Sequence, residues 1–270
     1  MYSNITLDTV AALKQICGDD QVFTDLDQLA HYGHDETEDL QFNPAVVVRP
    51  ADANQVASIM RLANAEHIPV TPRGAGTGLS GGALPVHGGI LLSTERFNKI
   101  IEIDERNLQA TVEPGVINQV FRDAVEAKGL FYPPDPASRG SCFLGGNLAE
   151  NAGGPRAVKY GTTKDYILNC EVVLPNGEII WTGANVLKNS TGYNLTQLLI
   201  GSEGTLGIVT KIVFRLIPLP TKNLIMLVPF YSPEKACEAV SAVFRAGFTP
   251  SAMEFMERDA IDYVMQFVDV

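Results

Sequence analysis

The sequence predicts a mixed fold of helices and strands whose loops close around one large ligand. Three observations predict it. A β-α-β pattern occupies residues 44–71. Sixteen of the 24 glycines fall in three short stretches: seven in 74–89, six in 140–161 and three in 201–207. An Asn-Gly turn near residue 176 separates two strand-like runs. Glycine permits positive φ and close approach of backbone to a ligand, so three clusters suit three loops on one ligand. The alternative is ordinary turns between strands.

The elements follow in order. PAVVVR (44–49) reads as a buried strand. Asp52 with Gln55 resembles a capping box, and Val56, Ile59, Met60 and Ala63 then recur at helical spacing. His67 ends that helix, and 68–71 is the next strand. Strand-like runs follow at 90–93 and 108–113. Val116, Val120, Phe121, Ala124 and Val125 mark one face of a helix over 116–128, with Gly129 as its stop. Pro175-Asn176-Gly177 joins 171–174 to 178–181 as a hairpin, with Trp181 expected in the core. Residues 206–216 read as a long strand ending at Pro218 and Pro220. Beyond lie a strand at 223–230, a helix at 233–246, a strand at 251–256 and a helix from about 257.

Composition excludes several functions. Of 270 residues, 46% are hydrophobic and 19% charged, a globular balance that allows one large domain or two smaller ones. Acidic residues outnumber basic ones 31 to 20, and no Lys/Arg cluster exists to neutralise phosphates, which excludes nucleic acid. Residues Gly74 to Thr94 carry no formal charge, but seven glycines, Pro85 and His87 rule out membrane insertion. No signal peptide is visible, and Cys17, Cys142, Cys170 and Cys237 are widely spaced. Both point to the cytoplasm. His31 and His34 with Asp35, Glu36, Glu38 and Asp39 read as a solvated acidic loop, and no metal is expected.

Gly76-Thr77-Gly78-Leu79-Ser80-Gly81 fits G-x-G-x-x-G literally. A Rossmann loop must open a helix, and the continuation Gly82 to Gly89, with Pro85, cannot be one. No Walker sequence GxxxxGK[ST] occurs. Arg73 is the lone formal cation between 70 and 94, so a phosphate here must be held mainly by backbone N–H groups, with Thr77 and Ser80 adding hydroxyls.

PRGAGTGLSGG (72–82) resembles the pyrophosphate loop of FAD-linked oxidases of the vanillyl-alcohol-oxidase type, the PCMH-type FAD-binding family. PPDPASRGS (133–141), GGNLAENAGGPRAVKYG (145–161) and VLKNSTGYNLTQLLIGSEGTLGIVT (186–210) resemble its later flavin-binding stretches, in the same order. The resemblance is strongest to the FAD subunits of glycolate oxidases and to D-lactate and D-2-hydroxyglutarate dehydrogenases. It implies an α+β fold: a helical lead-in over 1–43, a two-subdomain FAD-binding domain over 44–220, and the start of an α+β cap domain over 221–270.

It also implies site residues. Arg73, Gly74, Ala75, Gly76, Thr77, Gly78, Ser80, Gly81 and Gly82 would wrap the pyrophosphate. Pro134, Asp135, Ser138, Gly145, Gly146 and Asn147 would line the ribityl chain and isoalloxazine, continued by Asn151, Gly153, Gly154, Tyr160 and Gly161. Glu203, Gly207, Ile208 and Val209 would meet the adenine end. No His lies between 68 and 86 for a covalent link, so the FAD is expected to be non-covalent. Lys159, Lys164 and Lys188 could offset charge on the flavin, and His87 could approach it.

The implied reaction is oxidation of a small D-2-hydroxy acid to a 2-oxo acid, with an iron–sulfur or other electron-transfer subunit as a partner. The family's proton-abstracting and metal-binding histidines belong to a later part of its sequence. Here all four histidines lie at or before residue 87, so the catalytic residues are unassigned and the chain is expected to be a fragment or a truncated product. A flavin module completed by a partner subunit, and a sugar-alcohol or amino-sugar flavoenzyme sharing this domain, are the alternatives.

Overall fold

The structure, a computed structural model, describes residues 2–268. Residues up to 93 form a small sheet with its helices. In chain order come α1 (Leu7–Cys17), β1 (Val22–Phe23), α2 (Leu26–Tyr32), β2 (Val46–Val48), α3 (Ala53–Glu66), β3 (Val70–Arg73) and β4 (Ile90–Ser93). The strand order is β1-β2-β4-β3, with β2, β4 and β3 parallel. Alternate residues of a strand face opposite sides. Val46, Val48, Ile90 and Leu92 pack with Leu13, Val56 and Ile59 from α1 and α3, while Val47 and Leu91 meet Leu29 and Tyr32 from α2. Helices on both faces explain why VVV and ILL are apolar throughout. Asp52 caps α3 by accepting from the Asn54 and Gln55 amides. The Gln55 side chain accepts from the Ala51 amide, so the expected box is closed one residue early. His67 takes a left-handed conformation (φ 54°) and stops α3.

The second sheet is antiparallel. Its region holds β5 (Ile100–Asp104), β6 (Gln109–Val112), α4 (Asn118–Glu126), β7 (Leu130–Phe131), α5 (Leu144–Glu150), α6 (Ala157–Tyr160), β8 (Ile167–Val173), β9 (Ile179–Trp181), α7 (Leu195–Leu199), β10 (Ile208–Arg215) and β11 (Ile217–Pro218). The order is β5-β6-β10-β8-β9, and β7 pairs with β11 apart from it. Phe121, Tyr132 and Phe214 stack at centroid separations of 4.9–5.2 Å in the centre of this core. Val173 and Ile208 reach into the first core and join the two sheets.

Some expectations fail here. Trp181 is 45% exposed on edge strand β9, not in the core. Strands β5 and β7 had no clear alternation in IIEID and LF and were missed. No strand occurs over 221–268, where strands were expected at 223–230 and 251–256. A strand exists only with a ladder partner, and none of the described residues pairs with these runs. Leu224, Ile225 and Leu227 are 89–99% exposed. The helices α8 (Pro233–Arg245), capped by Ser232, and α9 (Arg258–Val264) form as expected, but neither buries a residue.

Phe121→Ala should lower stability by about 3–5 kcal/mol in urea unfolding, because it empties the ring cluster. Trp181→Ala should cost far less. Equal losses would show that the core is misplaced.

Candidate functional site

The glycine loop begins where β3 ends. From Gly74 to Ser80, no backbone N–H donates to a protein acceptor among the described residues. Gly81 N–H donates to Thr37 Oγ1 at 2.8 Å, and Gly78 C=O accepts from Glu36 N–H at 3.1 Å. The acidic segment therefore carries the loop from below, and Asp35 is buried rather than solvated. The segment's role was not legible, because an acidic run has no pattern that marks a support.

Arg73 does not reach out of the loop. It is 6% exposed, and its guanidinium lies beneath Gly76, where a Cβ would collide with it. It donates to Tyr32 C=O at 3.3 Å and faces Asp35 and Glu95. Burial lowers its pKa while these groups oppose the shift. Arg73 is thus a prop under the loop, whereas the sequence suggested a cation on a bound phosphate. Gly76 sits at φ +73°, a conformation that side chains resist. Tyr32 is fixed in turn by a 2.7 Å bond from its hydroxyl to Glu95, and burial with that bond pushes the hydroxyl pKa to about 12.

The other glycine clusters converge on this loop. A Cβ on Gly74 would touch Gly146 of α5 at 3.7 Å. Gly201 and Glu203 N–H groups donate to Leu148 and Ala149 at the end of α5, both at 3.1 Å. A Cβ at Gly82 would lie 2.5 Å from Glu203 Oε2 and 3.5 Å from Glu150 Oε1. Three carboxylates, Asp35, Glu150 and Glu203, thus face one end of the loop. Burial, then Glu203 and Asp35, raise the Glu150 carboxyl above its usual range. Glu150 was visible only as part of a motif.

The remaining expected residues fall into two groups. Asp135 packs on Gly154 and pairs with Arg156 at 3.1 Å. Asn147 is buried with its Nδ2 unpartnered. Pro134 is buried in the same stretch, and Ser138 caps it by accepting from Ser141 and Cys142. Other positions are explained by packing. A Cβ on Gly145 would strike Pro114, one on Gly161 would strike Asp165, and one on Gly207 would strike Val172. Asn151 uses its Oδ1 to accept from Thr162 and Lys164, Gly153 rests against Thr162, and Tyr160 accepts from Tyr166 through its carbonyl. Ile208 and Val209 pair with β8, but β6 faces only Ile212 to Arg215, so their other edge has no strand. His87 lies before β4, at the opposite end of the parallel strands from the loop, with its ring 5.2 Å from Tyr2.

A row of free amides beside acceptor carboxylates suits a ligand with both phosphate and hydroxyl or amino groups. The family described as "FAD binding domain" matches residues 44–183. The chain belongs to this FAD-binding family. A second family, "FAD linked oxidases, C-terminal domain", matches residues 219–270. The "Glycolate oxidase subunit GlcD" of Bacillus subtilis (strain 168) is 40% identical over 266 residues, 98% of this chain and 57% of that protein. A "D-lactate dehydrogenase" of Anaerostipes hadrus is 40% identical over 269 residues, 96% of this chain and 54% of that protein. In solved structures, p-cresol methylhydroxylase with substrate bound superimposes with a TM-score of 0.75 at 25% identity, covering 90% of this chain and 50% of that one. The FAD-binding chain thus spans little more than half the length of these relatives. The α+β architecture and the PCMH-type resemblance agree with these findings. FAD fits what is present: the free amides suit its pyrophosphate, and the orphaned Asn147 amide offers a donor.

Gly76→Val should weaken FAD about 10–100-fold in titration calorimetry, since strained backbone costs about 1–3 kcal/mol. Arg73→Ala should lower both FAD affinity and thermal stability, because it leaves Tyr32 C=O and Asp35 without their buried cation. Full stability in Arg73→Ala would contradict the prop. Because the raised Glu150 pKa favours the protonated form in the fold, stability falls as pH rises through that folded pKa. Glu150→Gln should flatten this slope in melting curves taken upward from the ordinary carboxylate pKa of 4.5; an unchanged slope would show that Glu150 does not cause it.

Proposed function

We propose that this chain is the flavin-holding part of an FAD-dependent enzyme that oxidises a D-2-hydroxy acid to its 2-oxo acid. The observation that carries this is the run of unpartnered amides from Gly74 to Ser80, set where three glycine clusters meet. The names of the two relatives support the substrate class. In this reading the amides take the pyrophosphate, with Gly81 and Gly82 closing the turn. Glu203, with Ile208 and Val209 along their open edge, takes the adenine side. Asp135 and Asn147, with Gly146 and Gly154, form the wall beside the isoalloxazine.

When bound, FAD supplies the hydride-accepting chemistry. The chain's residues bind and orient it. His87 lies at the far end of the strands and His67 caps α3, which supports non-covalent FAD. Residues 44–220 would form the FAD unit and 221–270 would begin the cap. The exposed apolar run at 223–230 and the C-terminal-domain match support that division. All four cysteines are unpaired, which supports a reducing cytoplasm. No described helix is long and apolar enough to cross a membrane. Because one relative is a subunit, an electron-transfer subunit is the proposed partner.

The purified chain should hold flavin that acid or heat releases, identified as FAD by chromatography. A chain that stays colourless after incubation with excess FAD would end this reading. Mixed anaerobically with D-lactate or glycolate, the FAD-loaded chain should not bleach at the rate of a complete relative. A general base typically contributes about 10²–10⁴ in rate, and His67 and His87 lie away from the loop. Rapid bleaching would place the base within these residues.

A further inference from the structure

The glycine loop is mounted on the segment that leaves α2. Glu36 N–H donates to Gly78 C=O at 3.1 Å, and Thr37 Oγ1 accepts from Gly81 N–H at 2.8 Å. Tyr32 is the last residue of α2, and its C=O accepts from Arg73 Nη1 at 3.3 Å. Residues 32–37 therefore reach the loop at three places: beneath Gly76 through Arg73, at Gly78 and at Gly81.

This mount is fastened from outside the loop. The Tyr32 ring is 5% exposed and packs with Leu29, Val47 and Leu91, while its hydroxyl donates to Glu95 Oε1 at 2.7 Å. Glu95 lies two residues beyond β4, next to Thr94. Thr94 donates to Arg73 C=O from its N–H at 3.0 Å and from its hydroxyl at 3.2 Å. Two adjacent residues thus hold both ends of Arg73: Thr94 the backbone directly, Glu95 the guanidinium by way of Tyr32. Glu95 is oriented in turn. Its Oε2 lies 3.5 Å from Arg49 Nη1, whose guanidinium rests over the Phe23 ring at 4.6 Å, and its N–H donates to Ser93 Oγ at 3.3 Å. Arg49, Glu95 and Arg73 all stand at the same end of the parallel strands β2, β4 and β3. A hydroxyl bond to a carboxylate is about twice as strong as a neutral one, and removing the acceptor leaves a buried donor unpaired.

We propose that Glu95, acting through the Tyr32 hydroxyl, is a positioning residue that fixes the mount 32–37 and so sets the loop amides for the pyrophosphate of FAD. The proposal rests on the flavin reading above and adds Glu95 to it. Glu95 does not touch the flavin in this account. Its part is to keep Tyr32 C=O where Arg73 needs it and Glu36 and Thr37 where the loop meets them.

The test is FAD affinity of the full chain, titrated by flavin fluorescence well below the melting temperature of each variant. Tyr32→Phe keeps the ring and deletes the bond, and should weaken FAD about tenfold. Glu95→Ala should do the same, and the double variant should bind no more weakly than either single one, because both remove one bond. Glu95→Gln still offers an acceptor oxygen and should stay within about threefold of the unsubstituted chain. Riboflavin, which has no pyrophosphate, should bind all of them alike. If Glu95→Ala does not fold, Tyr32→Phe carries the test. Unchanged FAD affinity in Tyr32→Phe, multiplied losses in the double variant, Glu95→Gln as weak as Glu95→Ala, or an equal loss for riboflavin would each overturn the proposal. An unsubstituted chain that takes up no FAD would instead defeat the flavin reading itself, before any variant is compared.

Discussion

A guanidinium buried beneath a glycine holds the site open. Arg73 leaves the end of β3, turns under Gly76 and is anchored by Tyr32 C=O, with Asp35 and Glu95 around it. Gly76 must lack a side chain for the guanidinium to fit, and it sits at positive φ in a loop whose amides from Gly74 to Ser80 have no acceptor among the described residues. Every later feature depends on that shape. The loop sits against Gly146, meets Glu150 and Glu203 at Gly82, and is carried by Thr37. Strands β2 and β4 beside it are buried on both faces, and β3, which carries Arg73, pairs with β4.

The loop separates charge by position. Its amides are free along Gly74 to Ser80, and its acidic neighbours crowd the Gly82 end. An anion is favoured at one end and a donor-bearing group at the other. A dinucleotide has this order of groups. The FAD-binding family match over 44–183 includes this loop and α5, while the Glu203 turn lies beyond it. That turn joins through its own hydrogen bonds to α5.

Much of this was legible in the sequence, for definite reasons. Continuous apolar runs marked β2 and β4, helical spacing marked α3 and α4, and Asn176-Gly177 marked the β8–β9 turn, where Gly177 takes φ +79°. The glycine clusters did come together. Long-range support was not legible: nothing local in Asp35, Thr37 or Tyr32 shows that they hold a loop some 40 residues on. The strands expected near 223–230 failed because periodicity reports what a run can bury, whereas a ladder needs a second strand. Trp181 was misplaced because a hairpin's edge strand keeps one side in water.

Amide hydrogen exchange over residues 74–80, measured with and without FAD, bears most directly on the central claim. If these N–H groups hold the pyrophosphate, they should exchange fast in the free chain and slow by at least tenfold with FAD. The amide of Gly81, already bonded to Thr37, should change little. Protection that appears elsewhere while 74–80 stays fast would contradict the account.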